Sequence, residues 1–533
     1  MRTPITGCML LAFPNLFGTA LGAPIITDVV GRLPQAEYQA SIAGRSYKGW
    51  GREPTVAVNP LDPREIMMSS FAYNTGSGRA SLWTSGDGGA SWNIRFPVTP
   101  PSPGVVVPSD WTFAYDNGGV LHGAVLGGDR NIYQGLTANP SADGVNGRPP
   151  STWQWTPGRI NLAADSTGTS DQPWIAVSGS TVHVGYDNFD AAFGRVQERV
   201  TTSTDRGATF TVDTPVSAGG KVSTTTNPGL RIATDAQGGL YAIYGIGQGL
   251  DAANNRTVTY RLNRSLDGGQ TWQFTDVSAP PGGLVVGGGL SAQLTNSFGG
   301  VNELRGNITA VAAAPDGKTV YATIGFKDAD GTDRIYLVTF VPDPADPTRL
   351  VAEGAPVPVS VAGQRAGLPA LTVTQGGIVA LLYDSFDGTR FHVHLATSTG
   401  DGFTDEDVYD FTSPGYAELG LPNVNVRTLG DYQYLTSLGD TIYGAFAGRG
   451  DTLGAGVDTT GNIDPFFLME ALSVDEPASA ALLAVAIAGF RMARRRPSLA
   501  RRTEQRSAFH HAAALADGGR RCAVPPYAAW RRP

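Results

Sequence analysis

Charged residues recur at matching places along this chain, and their spacing first suggests chemistry. Seven stretches of alternating apolar residues begin at Pro54, Trp111, Pro173, Arg231, Ile308, Pro369 and Tyr432. Arginines and carboxylates stand at or just before these starts: Arg52, Glu53, Asp110, Asp171, Arg231, Arg305, Arg365 and Asp431. If repeated units bring these positions together, the charges must pair with one another or meet a polar ligand, because unpaired buried charge is costly.

The elements that would position these residues are repeated pairs of strands. Each unit has an alternating strand, a turn containing Gly, Asp or Pro, and a second alternating strand, as in residues 54–71 and 111–125. A period of about 60 residues built from short strands is typical of a four-stranded β-propeller blade. We therefore predict an all-β fold with a single propeller over residues 45–470, with seven blades preferred and six possible. Inner strands begin at the mouth of the central channel, where the charged residues would converge.

A strand near residues 38–42, within a lead-in of residues 24–44, is predicted to close the propeller by lying beside residues 465–469. Closure of this kind leaves no exposed sheet edge.

A second signature, Ser-x-Asp-x-Gly-x-Thr-Trp, occurs inside several units. Three good copies begin at Ser85, Ser203 and Ser265, and a degenerate copy begins at Ser398, so that successive copies stand close to two, one and two unit lengths apart. The aspartates of the four copies are Asp87, Asp205, Asp267 and Asp401. The pattern predicts a β-hairpin whose Asp side chain accepts hydrogen bonds from the turn and whose Gly adopts a positive φ. These copies indicate fold and not chemistry.

With these Asp boxes, residues 45–470 resemble the sialidase-like Asp-box (BNR) propellers. Arg52-Glu53-Pro54 resembles the Arg-Ile-Pro motif that supplies the first substrate arginine of that family, and residues 431–444 resemble the segment that supplies its tyrosine nucleophile. The resemblance implies an anionic glycan held by three arginines. It also implies hydrolysis with retention by a tyrosine, a Glu that assists it and an Asp acid/base.

Carried onto this sequence, the resemblance implies catalytic roles for Tyr432 as nucleophile, Glu303 as its base, and Asp110 or Asp171 as acid/base. It implies that Arg52, Arg305 and Arg365 bind the substrate, and the positions of Arg231 and Asp431 at the starts of their units add these two to the predicted substrate-binding residues. The chain departs from the family where the acid/base is expected, because residues 73–82 contain no carboxylate. Two other interpretations stay open: a non-catalytic site for a polysaccharide or peptide, and a ring of ion pairs that ties the blades together in a structural or adhesion protein.

The ends of the chain predict export. Residues 1–23 read as a signal peptide, with an ordinary first strand as the alternative. Residues 474–496 combine Asp475-Glu476-Pro477, a short apolar run and an Arg cluster, which resembles the PEP-CTERM sorting signal. That resemblance implies a transient membrane tether, cleavage by an exosortase-like enzyme, and a final place in the cell envelope or outside the cell. A buried C-terminal helix is the alternative, and the basic residues 497–533 are predicted to be disordered.

Composition excludes several classes of function. The total charge of −8 combines +1 in residues 1–23 and +9 in residues 491–533, which leaves −18 for residues 24–490. A body this acidic is a poor nucleic-acid binder. Neither cysteine lies between positions 24 and 490, so that region has no disulfide or cysteine metal site. We expect no cofactor and no metal, although the spacing of Asp328, Asp330 and Asp333 could hold Ca²⁺ if it were not simply a hairpin turn.

Overall fold

In the computed structural model the described residues form strands and turns, with no α-helix among them. The structure describes residues 23–30, 51–71, 81–95, 101–103, 105, 109–138, 153–162, 169–190, 195–216, 229–250, 252, 255–276, 285–286, 289–295, 297–303, 308–328, 330–399, 402–413, 428–450 and 463–472.

The strands, in chain order, are β1 Ile25–Asp28, β2 Arg52–Asn59, β3 Asp62–Phe71, β4 Ser81–Ser85, β5 Asn93–Arg95, β6 Ser109–Tyr115, β7 Leu121–Leu126, β8 Ile132–Thr137, β9 Gln154–Trp155, β10 Thr169–Ser178, β11 Thr181–Asp190, β12 Arg195–Ser203, β13 Val212–Pro215, β14 Arg231–Thr234, β15 Leu240–Leu250, β16 Asn255–Ser265, β17 Gln273–Asp276, β18 Val285–Val286, β19 Gly289–Thr295, β20 Ser297–Phe298, β21 Asn302–Glu303, β22 Ala310–Ala313, β23 Val320–Lys327, β24 Asp333–Pro342, β25 Leu350–Pro358, β26 Arg365–Val373, β27 Val379–Phe386, β28 Phe391–Thr399, β29 Gly402–Phe411, β30 Tyr434–Leu438, β31 Thr441–Arg449 and β32 Ile463–Ala471.

Seven antiparallel sheets form the blades of a β-propeller, which confirms the predicted fold and the preferred blade number. Blades A to F use four consecutive strands each: β2–β5, β6–β9, β10–β13, β14–β17, β22–β25 and β26–β29. Blade G combines β30, β31 and β32 with β1 as its outer strand. The first strand of each blade lines the channel, so the blade starts meet at one end.

The ring closes through the pairing of β1 with β32, in which Ile25 lies opposite Met469 and Asp28 opposite Phe466. The closing strand therefore lies within the lead-in 24–44. Residues 38–42, where the sequence placed it, lie outside the described residues. Because β1 is the first strand and β32 the last, blade G depends on segments from the two ends of the propeller sequence.

The longest interval between units, from the fourth to the fifth, contains an insertion. Strand β19 adds to β16 of blade D and pairs with β18, and the small hairpin β20–β21 follows before blade E begins. The extra residues thus build local structure without adding a blade.

The apolar core lies between neighbouring blades. One cluster joins blades G and A, three more join A to B, B to C and C to D, and the largest joins blades D to G. Trp92 of blade A meets Phe467 of blade G edge to face at 5.3 Å. Because the blades pack face to face, their strands are buried on both sides. In β27, for example, every residue is buried except the last, which is partly exposed.

The chain divides into two compact units, Met1–Val474 and Asp475–Pro533, and the propeller belongs to the first. The second unit contains no described residue, so the apolar run of the PEP-CTERM-like segment and the basic tail lie outside the described residues, as do residues 1–22 of the predicted signal peptide. Within the described part, no helix has the length and apolarity to span a bilayer.

Candidate functional site

The inner strands begin with a kink that sets the direction of their first side chains. Register shifts follow the first residues of β2, β6, β10 and β26. The residues with positive φ at the starts of blades A, B, C, D, F and G are, in that order, Glu53 (53°), Asp110 (49°), Gln172 (46°), Gly229 (61°), Leu368 (53°) and Gly430 (87°). A positive φ costs a non-glycine residue about 1–2 kcal/mol, so contacts of the side chain must offset the strain.

The kinks correct one expectation from the sequence, because the charged residues do not share one equivalent place. Glu53 and Asp110 lie at the kink itself. Asp171 precedes the kink residue of its strand, Arg231 lies two residues after Gly229, and Arg365 lies three residues before Leu368. The position of a residue relative to the kink therefore decides whether its side chain reaches the channel mouth.

Arg231 lines the channel beside two aromatic rings. Its guanidinium carbon lies 4.3 Å from the Trp174 ring centre and 5.2 Å from that of Tyr432, which is cation–π geometry. Nη1 donates to the carbonyl of Leu230 at 3.0 Å and to Oε1 of Gln172 at 3.5 Å. Arg231 is only 4% exposed. Burial lowers its pKa to about 10, while Tyr432 and nearby carboxylates act in the opposite direction, so it stays charged at neutral pH.

Three carboxylates surround this stack. Glu53 accepts a hydrogen bond from the amide of Asp431 at 3.1 Å, and the Asp431 carboxylate accepts one from Gln172 at 2.8 Å. The Tyr432 hydroxyl donates to Asp110 at 3.5 Å. Burial, then Asp110 and Glu53, raise the pKa of Tyr432 well above its usual value, against the effect of Arg231. The phenol therefore carries its proton at neutral pH. We call these residues, with Arg231, Trp174 and Asp171, the mouth cluster.

Behind the mouth, three carboxylates lie side by side on neighbouring strands of blade C. Asp171 of β10 pairs with Asp187 of β11, which pairs with Glu198 of β12. Residues directly opposite in antiparallel strands have adjacent side chains. Asp187 and Glu198 are completely buried, and none of their four carboxylate oxygens forms a hydrogen bond of ordinary geometry with a described residue. The side chain of Asp171 is 20% exposed and lies 3.9 Å from Arg130.

Burial favours the protonated form of both acids. Burial, then Glu198 and Asp171, raise the pKa of Asp187 well above its usual value, opposed by Arg231 and the amide of Gly229. Burial raises the pKa of Glu198 to about 8, opposed by its own amide and by Arg261. Two carboxyl groups buried together away from water are more stable neutral than charged.

The other predicted arginines lie elsewhere. Arg365 lies 3.4 Å from Asp333, which also faces Lys327, so Arg365 ties blade F to blade E. Arg52 is buried at the start of β2. Arg305 and Asp401 lie outside the described residues. The described residues therefore do not show the three-arginine arrangement implied by the family resemblance.

The hairpin β20–β21 reaches the mouth from between blades D and E. Asn302 accepts a hydrogen bond from the amide of Leu429 and donates to the carbonyl of Gly430, both at 3.0 Å. Glu303 follows Asn302 in β21, so its backbone lies close to the segment that carries Tyr432, although its side chain is not described.

Below the mouth, the channel contains a cavity of about 240 Å³. Small residues of the inner strands line most of it, among them Ala233, Ala312 and Ala370. Typical ligand pockets measure roughly 300–1,000 Å³. A ligand larger than this cavity would therefore be held at the mouth rather than inside the channel.

The Asp-box turns join the third and fourth strands of blades A, C and D, at the opposite end of the propeller. In the turn of blade D, Asp267 accepts hydrogen bonds from the Ser265 hydroxyl and from the amide and hydroxyl of Thr271, at 2.6–2.9 Å. Asp87 and Asp205 repeat the same pattern. These aspartates stabilise turns and lie away from the mouth.

The three carboxylates considered for Ca²⁺ engage different partners. Asp328 accepts a hydrogen bond from Arg334 at 3.2 Å, Asp330 accepts one from the amide of Thr332 at 2.8 Å, and Asp333 faces the two cations named above. Across the described ranges, no group of three or more His, Cys, Asp or Glu side chains is placed to hold a metal ion.

Solved structures similar to this chain include an arabinanase, a sialidase and an arabinofuranosidase. An α-L-arabinanase from Penicillium chrysogenum, complexed with arabinobiose, has 12% identity and a TM-score of 0.41, over 85% of this chain and 99% of its own. A sialidase from Trypanosoma rangeli, complexed with the inhibitor DANA, has 16% identity and a TM-score of 0.33, over 68% and 55%. An α-L-arabinofuranosidase from Fusarium graminearum, complexed with an iminosugar inhibitor, has 14% identity and a TM-score of 0.35, over 70% and 94%. No protein-family profile and no curated protein sequence matches the chain. Similarity this weak carries no argument about activity.

Sequence reasoning missed Gln172, Trp174, Asp187 and Glu198. Gln172-Pro173 could have been found, because it repeats the Glu53-Pro54 pattern at the start of another unit. The buried acids gave no such signal. Charged residues usually face solvent, so their residue types gave no indication that these two side chains are completely buried.

Proposed function

We propose that the protein binds extracellular glycan at the channel mouth and hydrolyses it with Tyr432 and Asp110. The observation that supports this is the contact of the Tyr432 hydroxyl with the Asp110 carboxylate beside the Arg231 guanidinium. Tyrosine nucleophiles occur in retaining glycosidases of sialidase type. Catalytic contacts in unliganded sites are often long and shorten when substrate binds, so the 3.5 Å separation is compatible with this role.

In the proposed reaction, Asp110 accepts the phenolic proton as the Tyr432 oxygen attacks the anomeric carbon. A base is required because the phenol is protonated at neutral pH. Asp171, whose carboxylate is partly exposed, donates a proton to the departing sugar oxygen. Asp171 then deprotonates the water that breaks the bond between tyrosine and sugar, and Asp110 returns its proton to the departing Tyr432 oxygen. The half-buried Trp174 ring offers an apolar surface to the sugar.

The test is turnover by the full chain of a panel of fluorogenic glycosides that includes sialosides, hexuronosides, hexosides and pentosides. Tyr432→Phe and Asp110→Asn should each lower kcat by several orders of magnitude. Tyr321→Phe, a tyrosine of β23 outside the mouth cluster, is the matched control and should keep full activity. Melting temperatures of all three variants separate lost chemistry from lost folding. Absence of turnover across the panel would refute the hydrolase.

A second candidate is a non-catalytic structural or adhesion protein of the envelope or matrix. The burial of the mouth cluster favours it, because Tyr432 is 3% and Arg231 4% exposed while the cluster joins blades A, B, C, D and G. For this function, Arg231→Met should lower the melting temperature, and neither the wild type nor the variant should bind or cleave any glycan. An unchanged melting temperature would count against the structural role.

The compartment is part of the same proposal. Residues 1–23 would direct export, and residues 474–496 would tether the chain to the membrane until an exosortase-like enzyme cleaves it. Cell fractionation and the intact mass of the mature protein test this. A cytoplasmic protein that keeps both ends would refute it.

A further inference from the structure

We propose that the channel below the mouth cluster is a second binding site, for a small uncharged polyol that enters from the end opposite the mouth. The site is the cavity of about 240 Å³, and we call it the channel site. Neither Tyr432 nor Asp110 lines it. The channel site is therefore independent of the hydrolase proposed at the mouth.

The size of the cavity sets the size of the ligand. An apolar cavity of about 150 Å³ in another protein holds benzene, which has six non-hydrogen atoms, so about 240 Å³ suits a molecule of roughly ten. In blade D the lining runs from Arg231 to Thr234, which at about 3.3 Å per residue is a length of about 10 Å. A pentitol such as xylitol has the right number of atoms and is short enough to lie along this length.

The walls of the channel present hydrogen-bonding groups of both kinds. Each inner strand ends its sheet and pairs on one side only, so the N–H and C=O groups of its other edge face the channel unless a neighbouring blade binds them. The Ser437 hydroxyl binds the Val373 carbonyl in this way. The Thr436 hydroxyl is partly exposed and has no partner among the described residues. Because a hydroxyl group both donates and accepts, a polyol matches these walls better than an apolar molecule does.

Arg231 is the one charged residue among the described residues that line the cavity. Of its nitrogens, Nη1 donates to Leu230 and Gln172, whereas Nε and Nη2 have no partner in the described part of the chain and are not sealed from solvent. These two nitrogens can donate to a ligand oxygen at the inner end of the channel. The carboxylates of Glu53 and Asp110 already stabilise the positive charge of the guanidinium, so the ligand need not be an anion.

The channel becomes more open away from the mouth. In blade D, Arg231 and Ile232 are buried, whereas Ala233 and Thr234 are partly exposed. Ala313 of blade E is partly exposed as well. These side chains are small, so a polyol can enter from this end without displacing the contacts of the mouth cluster.

The test titrates the full chain with xylitol, followed by saturation-transfer NMR and calorimetry. Binding should saturate at one xylitol per chain. Raffinose, a trisaccharide too large for the cavity, should not displace xylitol. 1-Pentanol, which has the same number of carbons and one hydroxyl, should bind at least tenfold more weakly.

Two variants of the lining locate the site. Ala233→Leu fills the channel and should weaken xylitol binding at least tenfold. Thr436→Val removes a hydroxyl with little change of shape and should weaken binding at least threefold. Ala345→Leu makes the first change in an exposed turn of blade E and should bind xylitol like the wild type. Melting temperatures establish that each variant folds, and Thr436→Val decides if Ala233→Leu does not.

Three results would overturn the channel site: no saturable binding of xylitol, displacement of xylitol by raffinose, or unchanged binding by the folded lining variants. Binding of 1-pentanol as tight as that of xylitol would overturn the polyol as its ligand. Each of these results leaves turnover at the mouth untouched, and absence of turnover across the glycoside panel would leave the channel site standing.

Discussion

The fully buried Glu198 should make the stability of the propeller fall as the pH rises from 5.5 to 7.5. In the folded protein its carboxyl keeps a proton up to a pKa of about 8, whereas the unfolded chain loses it near 4.5. The folded state therefore binds one more proton across this window, and the free energy of unfolding decreases with pH. Each pH unit is worth about 1.4 kcal/mol for one group, so two units amount to roughly 3 kcal/mol. The neighbouring Asp187, whose pKa is also raised, adds in the same direction.

Replacement by glutamine isolates this effect, because Glu198→Gln keeps the shape of the protonated acid and cannot ionise. Urea unfolding followed by tryptophan fluorescence at pH 5.5, 6.5 and 7.5 gives the free energies. Between pH 5.5 and 7.5, the free energy of unfolding of the variant should rise by roughly 3 kcal/mol relative to that of the wild type. Glu353→Gln changes an exposed glutamate of β25 and should follow the wild type at every pH. Parallel curves for wild type and Glu198→Gln would refute the assignment of a buried neutral acid.

Three further perturbations test the fold. Asp267→Ala removes the acceptor of an Asp-box turn and should lower stability by about 1–3 kcal/mol, seen as a lower melting temperature. An unchanged melting temperature would show that the hydrogen bonds of Asp267 do not stabilise the fold. Gly89→Ala places a Cβ 2.5 Å from the Phe467 ring at a φ of +90°, so it should destabilise the contact of blades A and G. Gly88→Ala, whose Cβ meets nothing within 4 Å, should lower the melting temperature less. Equal decreases in melting temperature would show that the contact with the ring is not the cause. Asn302→Ala should speed hydrogen exchange of the Leu429 amide, and unchanged exchange would show that the hairpin does not hold this segment.

The architecture was accessible from sequence because its signals are local. Alternating apolar residues, turn residues and a regular period are all read from one unit to the next, and seven copies lead to seven blades. The closing strand was harder, since β1 is short and its partner lies at the other end of the propeller sequence. The insertion appeared only as one long interval, and nothing in the sequence indicated that its Asn302 reaches blade G.

The site was predicted less well for a geometric reason. Counting residues back from each strand assumes that all blade starts have the same geometry, but the charged residues lie up to three positions from the kink residue of their strand. Arg365 therefore turns towards Asp333 of blade E, while Tyr432 and Asp110, named separately from the sequence, do meet. Burial of Asp187 and Glu198 depends on contacts between blades, which no single unit encodes.

The strained residues and the mouth cluster form one system. Blades D and G adopt the kink with glycine, which tolerates a positive φ without cost, so the backbone itself does not need a side chain there. Blades A, B and C use Glu53, Asp110 and Gln172 instead, and each of these contacts Asp431, Tyr432 or Arg231. About 1–2 kcal/mol of strain at each position is offset by those contacts. This backbone conformation directs three polar side chains towards one point of the channel mouth. A ligand that binds there would have to replace the contacts that these side chains already make.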